Sequence, residues 1–368
     1  MPLVCHLVGA APTLVKIAPL ARALAQRGVE QRLVHTGRAD DLVGLESLLE
    51  DLRLSLPEVH LGVSPNSPLA EAAGVLLGME HALPTLVPVD WMVVPGHSNM
   101  ALAAAFAAMH HKIKVAHLEA GLRSGDRSRP GELRRILLDQ VAEILFTASA
   151  RGDDNLVREG IAASRIARIG STLVDSLLSA LPRSRERAVP EQLGLVGGGY
   201  ALCSLHRREI VEVPPVLKAV LSALAELSRR LPVVFLVHPW ARAQLSAAPL
   251  ARALAALKLA APFGYLDFVS LLAEARLVLT DSGGLQEEAM ALAIPCLTLA
   301  EATERDLTLS AGTNTLVGTS PERILSAAKT VLDRPAPGSC SEPWDGRAGE
   351  RAAQALLERS GAASPLAG

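Results

Sequence analysis

The stretch Leu279–Glu288 reads Leu-Thr-Asp-Ser-Gly-Gly-Leu-Gln-Glu-Glu, and its reading decides how the rest of the chain is understood. The apolar run Leu277 to Leu279 leads in as a buried strand, and Glu287 to Leu292 leaves with a helical pattern. A strand that turns into a helix through Ser282, Gly283 and Gly284 leaves first-turn backbone N–H groups without intrahelical partners, with the positive end of the helix dipole behind them. Such a turn is a seat for a phosphate. It is also an ordinary way to pack a strand closely against a helix, and it lacks the lysine of the P-loop pattern, so its neighbours must decide.

Working outward, strand and helix patterns alternate along the whole chain. Leu3 to Val8, Gln31 to His35, Trp91 to Pro95, Lys114 to Leu118 and Ile144 to Thr147 read as short buried strands, each followed by a helical stretch. A second series comprises Tyr200 to Leu205, Val233 to His238, Leu277 to Thr280, Pro295 to Leu299 and Asn314 to Val317. The pattern predicts an α/β protein of two Rossmann-like domains, with the carboxyl ends of both parallel sheets along one cleft. The expected division is residues 1–181, a linker and candidate hinge at 182–199 rich in Arg, Pro and Gly, and residues 200–348. A last helix, Gly349 to Glu358, is expected to cross back to the first domain, and the tail from Ser360 is expected to fray.

Composition narrows the class. A chain of 368 residues exceeds one comfortable core. It is 49% hydrophobic and 20% charged, as suits a soluble enzyme. The net charge of −2 and the scattered basic residues argue against nucleic acid and membrane surfaces as partners. Cys5, Cys203, Cys296 and Cys340 lie far apart with no Cys-x-x-Cys pair, which predicts core thiols in the cytoplasm rather than disulfides or a metal site.

Chemistry-bearing residues gather at the predicted strand ends. Gly9-Ala10-Ala11-Pro12 closes the first strand and opens a helix carrying Lys16, either an anion site or a plain turn with a solvated lysine. In His117-Leu118-Glu119-Ala120-Gly121-Leu122-Arg123, Glu119 is a partner for Arg123 or a catalytic base. Glu132, after Pro130-Gly131, is a second acid or a complement to the helix dipole. His206-Arg207-Arg208-Glu209 suits an anionic diphosphate, with a solvated charge cluster as the alternative. Thr303-Glu304-Arg305 and the turn Ala311-Gly312-Thr313 add to the set, whereas His238 reads as a structural histidine.

Taken together, His117 to Asp126, His206 to Glu209, Thr280 to Glu288, Thr303 to Arg305 and Ala311 to Thr313 resemble, in order, the motifs of the UDP-N-acetylglucosamine 2-epimerase family. The resemblance covers nearly the whole chain and implies the two-domain architecture of B-type glycosyltransferases. It further implies that Ser282, Gly283, Gly284 and Glu288 contact phosphate and ribose. Arg305 and His206 would then lie near diphosphate and sugar, with Phe268 beside the uracil and Lys16, Arg123 and Arg207 among the substrate-binding residues. Glu119 and Glu132 match the family's acid and base positions. The implied reaction inverts C2 of a UDP-N-acetylhexosamine by UDP elimination and re-addition, without nicotinamide, metal or other cofactor. The implied setting is cell-envelope polysaccharide biosynthesis, and a homodimer is expected for an enzyme of this size.

Departures from the family pattern concentrate at the sugar end. Gly9-Ala10-Ala11-Pro12-Thr13 stands where the family has Gly-Thr-Arg-Pro-Glu, so an arginine and a glutamate are lost. Gly96-His97-Ser98 puts His97 in place of an aspartate, a candidate base near neutral pH. Pro130-Gly131-Glu132 keeps the second acid of Pro-Glu-Glu, and Arg134 occupies the usual asparagine. Thr36 to Asp40 lacks the Gln-His pair with which bacterial relatives bind an activating second UDP-sugar. Alternatives are therefore a hydrolysing 2-epimerase that releases UDP and N-acetylmannosamine, or a UDP-sugar-binding protein without catalysis.

Overall fold

Thirteen short strands among the described residues alternate with helices, ten of them on the apolar runs read from the sequence. The structure is a computed structural model and describes residues 1–37, 45–64, 67–86, 88–246, 250–261, 263–333 and 344–361. Two compact units divide inside the helix Thr172–Arg185: residues 1–179 with 342–368 form the first, and 180–341 the second. That helix continues through Pro182, and the short helix Val189–Gln192 follows it, so both occupy part of the segment 182–199.

In the first unit β1 (Leu3–Val8), β2 (Glu30–His35), β3 (Val59–His60), β4 (Trp91–Pro95), β5 (Lys114–Ala120), β6 (Ile144–Thr147) and β7 (Ile166–Arg168) form a parallel sheet. Its order is β3-β2-β1-β4-β5-β6-β7. Central strands buried on both faces explain the unbroken apolar runs. Cys5, Leu7, Met92, Val94 and Val115 pack with Val75, Met79 and Leu83 of the helix Pro68–Leu86 and with the alanine face of the helix Asn99–His110. Ser98 caps the latter helix, its hydroxyl accepting from Ala101 N at 3.0 Å. The helix Ala348–Arg359 packs on the helix Ala11–Ala25 so closely that a Cβ at Gly349 would stand 2.5 Å from the Pro19 backbone.

In the second unit β8 (Ala201–Ser204), β9 (Val233–Leu236), β10 (Lys258–Ala260), β11 (Leu277–Thr280), β12 (Cys296–Thr298) and β13 (Asn314–Leu316) form another parallel sheet, ordered β10-β9-β8-β11-β12-β13. Its core joins Cys203, Phe235, Leu279 and Leu297 to Leu217, Leu221 and Leu224 of the helix Pro214–Leu227. Both sheets are doubly wound, and each reverses strand order between its first and fourth strands. Polar groups after β1 and β4, and after β8 and β11, therefore sit where such sheets leave a crevice.

Three strands, β3, β7 and β10, have no counterpart among the strands expected from the sequence. Each is an edge strand of two or three residues, and none of their residues is fully buried, so no apolar run marks them. The buried cysteines Cys5, Cys203 and Cys296 are free thiols, with burial pushing Cys5 and Cys296 up to about 12 and Cys203 higher still. Cys340, Arg38 to Asp40 and the tail from residue 362 lie outside the described residues. No helix among the described residues is long and apolar enough to cross a membrane.

Candidate active site

The first unit builds its site on an irregularity in β5. Pairing with β6 slips between Leu118 and Ala120, leaving Glu119 as a bulge with φ 69°. Bulges commonly re-aim a side chain beside a functional site. Here the carboxylate leaves the ladder and meets Lys16, one turn into the helix after β1, with Nζ to Oε2 at 2.5 Å. Both side chains are largely buried, so their attraction is screened less than in a solvent-exposed bridge, against a desolvation cost for each ion. Gly96 borders the pair after β4, where its φ of 69° favours glycine and a Cβ would touch both Glu119 Oε2 and Lys16 Nζ at 3.4 Å.

His97 follows directly. Its Nε2 lies 3.2 Å from Arg135 Nη1, and a guanidinium can only donate, so this nitrogen accepts. Arg134 Nε donates to the His97 carbonyl oxygen at 2.8 Å. Arg135 also pairs with Glu132 at 2.8 Å. Glu132, 2% exposed, accepts in addition from Ser124 N at 2.9 Å, Ser124 Oγ at 3.0 Å and Gly125 N at 2.9 Å. Burial pushes its carboxyl up, but these donors and the Arg135 guanidinium outweigh it and hold the group below its ordinary value. A carboxylate saturated in this way keeps its charge. Glu132 therefore suits the anchoring of Arg135 and His97 better than the acid/base role expected of it.

Arg123 is likewise placed differently from expectation. Its guanidinium is buried against Asp139 at 2.8 Å and Glu159 at 2.5 Å, which leaves it poorly placed to hold a substrate. Asp139 also takes His117 Nδ1 at 2.7 Å and Gly121 N at 3.2 Å, while His117 Nε2 faces the Gly96 carbonyl oxygen at 2.8 Å. Burial raises the Asp139 carboxyl, but the charges and hydrogen bonds of His117 and Arg123 bring it below the ordinary value. This network locks the ends of β4 and β5 in register, which is what fixes the Glu119 bulge.

In the second unit the turn after β11 has the expected form. Ser282 caps the helix Gly283–Ala291, and among the described residues no acceptor takes the N–H groups of Gly283 or Gly284. Side chains crowd Gly283: a Cβ there would stand 2.8 Å from Glu304 Oε1, the end of a side chain that can move, and 3.2 Å from Arg305 Nε. The Arg305 guanidinium therefore lies against the turn, buried and paired with Glu287. Thr303 Oγ1 donates to Gln286 Oε1 at 2.7 Å and accepts from Arg305 N at 3.1 Å, which holds this loop to the helix. The carboxylate of buried Asp281 accepts from His206 N at 2.8 Å and Arg207 N at 2.8 Å, tying the loop after β8 to the same turn. Burial pushes Asp281 up, with these amide donors pulling it back. His206 is exposed, with Nε2 at 2.7 Å from Ser204 Oγ, and Arg207 Nε donates to the Asp281 carbonyl oxygen at 3.0 Å. Glu288 is buried further along the helix, and Phe268 lies half-buried on the separate helix Tyr265–Ala273.

Lys16, His97, Glu119 and Glu132 thus converge in the first unit, and His206, Arg207, Ser282, Gly283, Gly284 and Arg305 converge in the second. Asp139, Arg135 and Asp281 were assigned no role from the sequence. For the first two a signal exists: Glu132, Arg135 and Asp139 recur at i, i+3 and i+7, a buried polar stripe along one helix. Asp281 carries no such mark, because its partners come from another strand end. Among the described residues no cluster of His, Cys, Asp and Glu is arranged to hold a metal ion.

Two doubly wound α/β units, one with a serine-capped Gly-Gly helix start beside Arg305 and the other with a buried carboxylate–ammonium pair at its switch point, give the B-type glycosyltransferase architecture. The family model of UDP-N-acetylglucosamine 2-epimerase matches residues 22–357. The UDP-N-acetylglucosamine 2-epimerase of Methanocaldococcus jannaschii is 33% identical over 360 residues, 95% of this chain and 97% of that protein. The UDP-2,3-diacetamido-2,3-dideoxy-D-glucuronate 2-epimerase of Pseudomonas aeruginosa is 32% identical, over 96% of this chain and 98% of its own. The crystal structure of the M. jannaschii enzyme with UDP-GlcNAc and UDP superposes with a TM-score of 0.89 at 34% identity, covering 97% of this chain and all of that one. The chain belongs to the UDP-N-acetylglucosamine 2-epimerase family.

Proposed function

We propose that the protein inverts C2 of a UDP-N-acetylhexosamine by eliminating UDP and adding it back. The observation that carries this reading is Glu119, set on a bulge at the switch point and held by Lys16. In the first half-reaction Glu119 takes the C2 proton, the C2–H electron pair becomes the C1=C2 bond of a 2-acetamidoglycal, and the C1–O bond breaks as UDP leaves. In the second, an oxygen of UDP re-adds at C1 and a proton returns to the opposite face of C2. His97 is assigned this second proton transfer: the ring takes a proton from solvent, gives it to C2 and returns to its neutral form, while Glu119 releases the proton it took to solvent, with Glu132 and Arg135 positioning the ring. The pocket residues Ser282, Gly283, Gly284 and Arg305 are assigned to the diphosphate, Glu288 to the ribose and Phe268 to the uracil, with Arg207 and His206 beside the diphosphate. Preorganised N–H groups and a cation already in place stabilise departing UDP without reorganisation.

The test is incubation of the protein with UDP-N-acetylglucosamine in deuterated water, followed by NMR. Deuterium at C2 together with a UDP-N-acetylmannosamine signal is the expected outcome. UDP and free sugar accumulating instead mark the hydrolysing reaction, and no exchange with any UDP-N-acetylhexosamine, neutral or acidic, sinks the epimerase reading.

We also propose a homodimer formed through the first unit. Leu69 and Leu77, Phe106 and Met109, and Leu133 and Leu137 are exposed apolar side chains on the three helices Pro68–Leu86, Asn99–His110 and Pro130–Val141. A monomeric mass by light scattering at micromolar concentration would refute it. The buried free thiols support placing the reaction in the cytoplasm.

A further inference from the structure

The charge arithmetic around His97 leaves a cation over. Lys16 is matched by Glu119, and Arg135 is matched by Glu132. Arg134 is half-buried beside them, yet among the described residues its side chain makes one hydrogen bond, from Nε to the His97 carbonyl oxygen, and no ion pair. Its Nη2 lies 3.8 Å from where a Cβ on Gly131 would stand, and the His97 ring lies 3.6 Å from the same point, so glycine leaves the space between guanidinium and imidazole unfilled. Half-burying a guanidinium next to a second one is unfavourable: desolvation first, then repulsion from Arg135, lowers its pKa. An arginine fork kept in such a place has the geometry to take a carboxylate through two parallel N–H donors.

We propose that the guanidinium of Arg134, with the gap left by Gly131 beside His97, receives a carboxylate carried by the sugar, so that the substrate is an acidic 2-acetamido sugar nucleotide. This rests on the epimerase reading for the placement of the sugar, but its own test is one of recognition. The shared chemistry is a carboxylate on the hexosamine ring, and it has two sources: a uronic acid at C5, or an acidic ether on C3. Arg134 is a specificity-determining residue in either case, and Gly131 supplies room.

Four ligands decide the matter by calorimetry: UDP, UDP-N-acetylglucosamine, its C6-oxidised uronate, and UDP-N-acetylmuramate. The expected result is that one acidic nucleotide binds roughly ten- to hundredfold tighter than UDP-N-acetylglucosamine, and that Arg134→Gln removes the difference while Arg134→Lys keeps part of it. Equal or tighter binding of UDP-N-acetylglucosamine by the unaltered protein overturns the proposal. So does an Arg134→Gln loss that is the same for UDP alone, because Arg134 would then serve the diphosphate. Deuterium exchange at C2 of the preferred nucleotide is read separately. Its absence beside a retained preference for the acid refutes the epimerase reading and leaves the carboxylate site standing.

Discussion

Glu119 holds a φ of 69°, a conformation that costs a residue with a Cβ about 1 kcal/mol or more. The Asp139 network and the Lys16 ion pair offset that cost, and the return is a carboxylate that points away from the sheet toward the end of β4. Glu119→Gln keeps shape and hydrogen-bonding capacity but removes the base. C2 exchange is expected to fall at least about a thousandfold, near the upper range for a lost proton-transfer group, while UDP affinity stays within about twofold. Exchange by NMR and UDP titration by calorimetry check this, and an exchange rate near that of the unaltered protein would remove Glu119 from the mechanism. At this scale the sequence was partly legible. Glu119, Gly283 and Arg305 stood out because each comes within a few residues of the end of a strand pattern. Lys16 opposite Glu119 did not, because more than a hundred residues separate them and the pairing exists only once β1, β4 and β5 are neighbours.

Among the elements, β5 and the helix Ala150–Arg158 meet where no side chain fits. Gly121 has φ 77°, and a Cβ on it would stand 2.4 Å from the Gly152 carbonyl oxygen. Gly121→Ala combines a left-handed alanine with a backbone clash and is expected to destabilise the first unit by about 3 kcal/mol or more. Gly125 is the control: its φ is 75° but nothing lies within 4 Å of the added Cβ, so Gly125→Ala should cost about 1–2 kcal/mol. Denaturant titration of both variants measures the difference, and equal losses would show that packing against the helix contributes nothing. The edge strands belong to this scale too. β7 was invisible in the sequence because Ile166–Arg168 is partly exposed, and it is a strand because β6 offers it an open ladder.

For the molecule as a whole, the shifted carboxylates set the response to acid. Glu132 and Asp139 have folded-state pKa values below their unfolded values near 4.5 and 3.8. Their contribution is therefore fully present above those values and is lost as pH falls through the lower, folded ones. Thermal melts are expected to be flat with respect to these two groups from neutral pH to about 5 and to fall as the pH drops through the ordinary carboxylate range, where the unfolded chain takes up these protons before the folded one does. Asp139→Asn should melt lower at neutral pH and show a shallower acid limb. An acid limb unchanged from that of the unaltered protein would move the acid sensitivity to other carboxylates.

Local chemistry written along the chain was enough to determine the α/β class, the paired series of buried strands, the glycine turn after β11 and the strand-end placement of the charged motifs. Each of these follows from hydrophobic period and turn residues, which act over a few positions. Tertiary structure alone decided which charges meet: that Arg123 is consumed by Asp139 and Glu159, that Glu132 is saturated by donors from the loop at Ser124, and that Arg134 makes no ion pair among the described residues. The reason is that an ion pair or a saturated carboxylate depends on distance and burial, and strand order brings distant segments together in ways that no local pattern records.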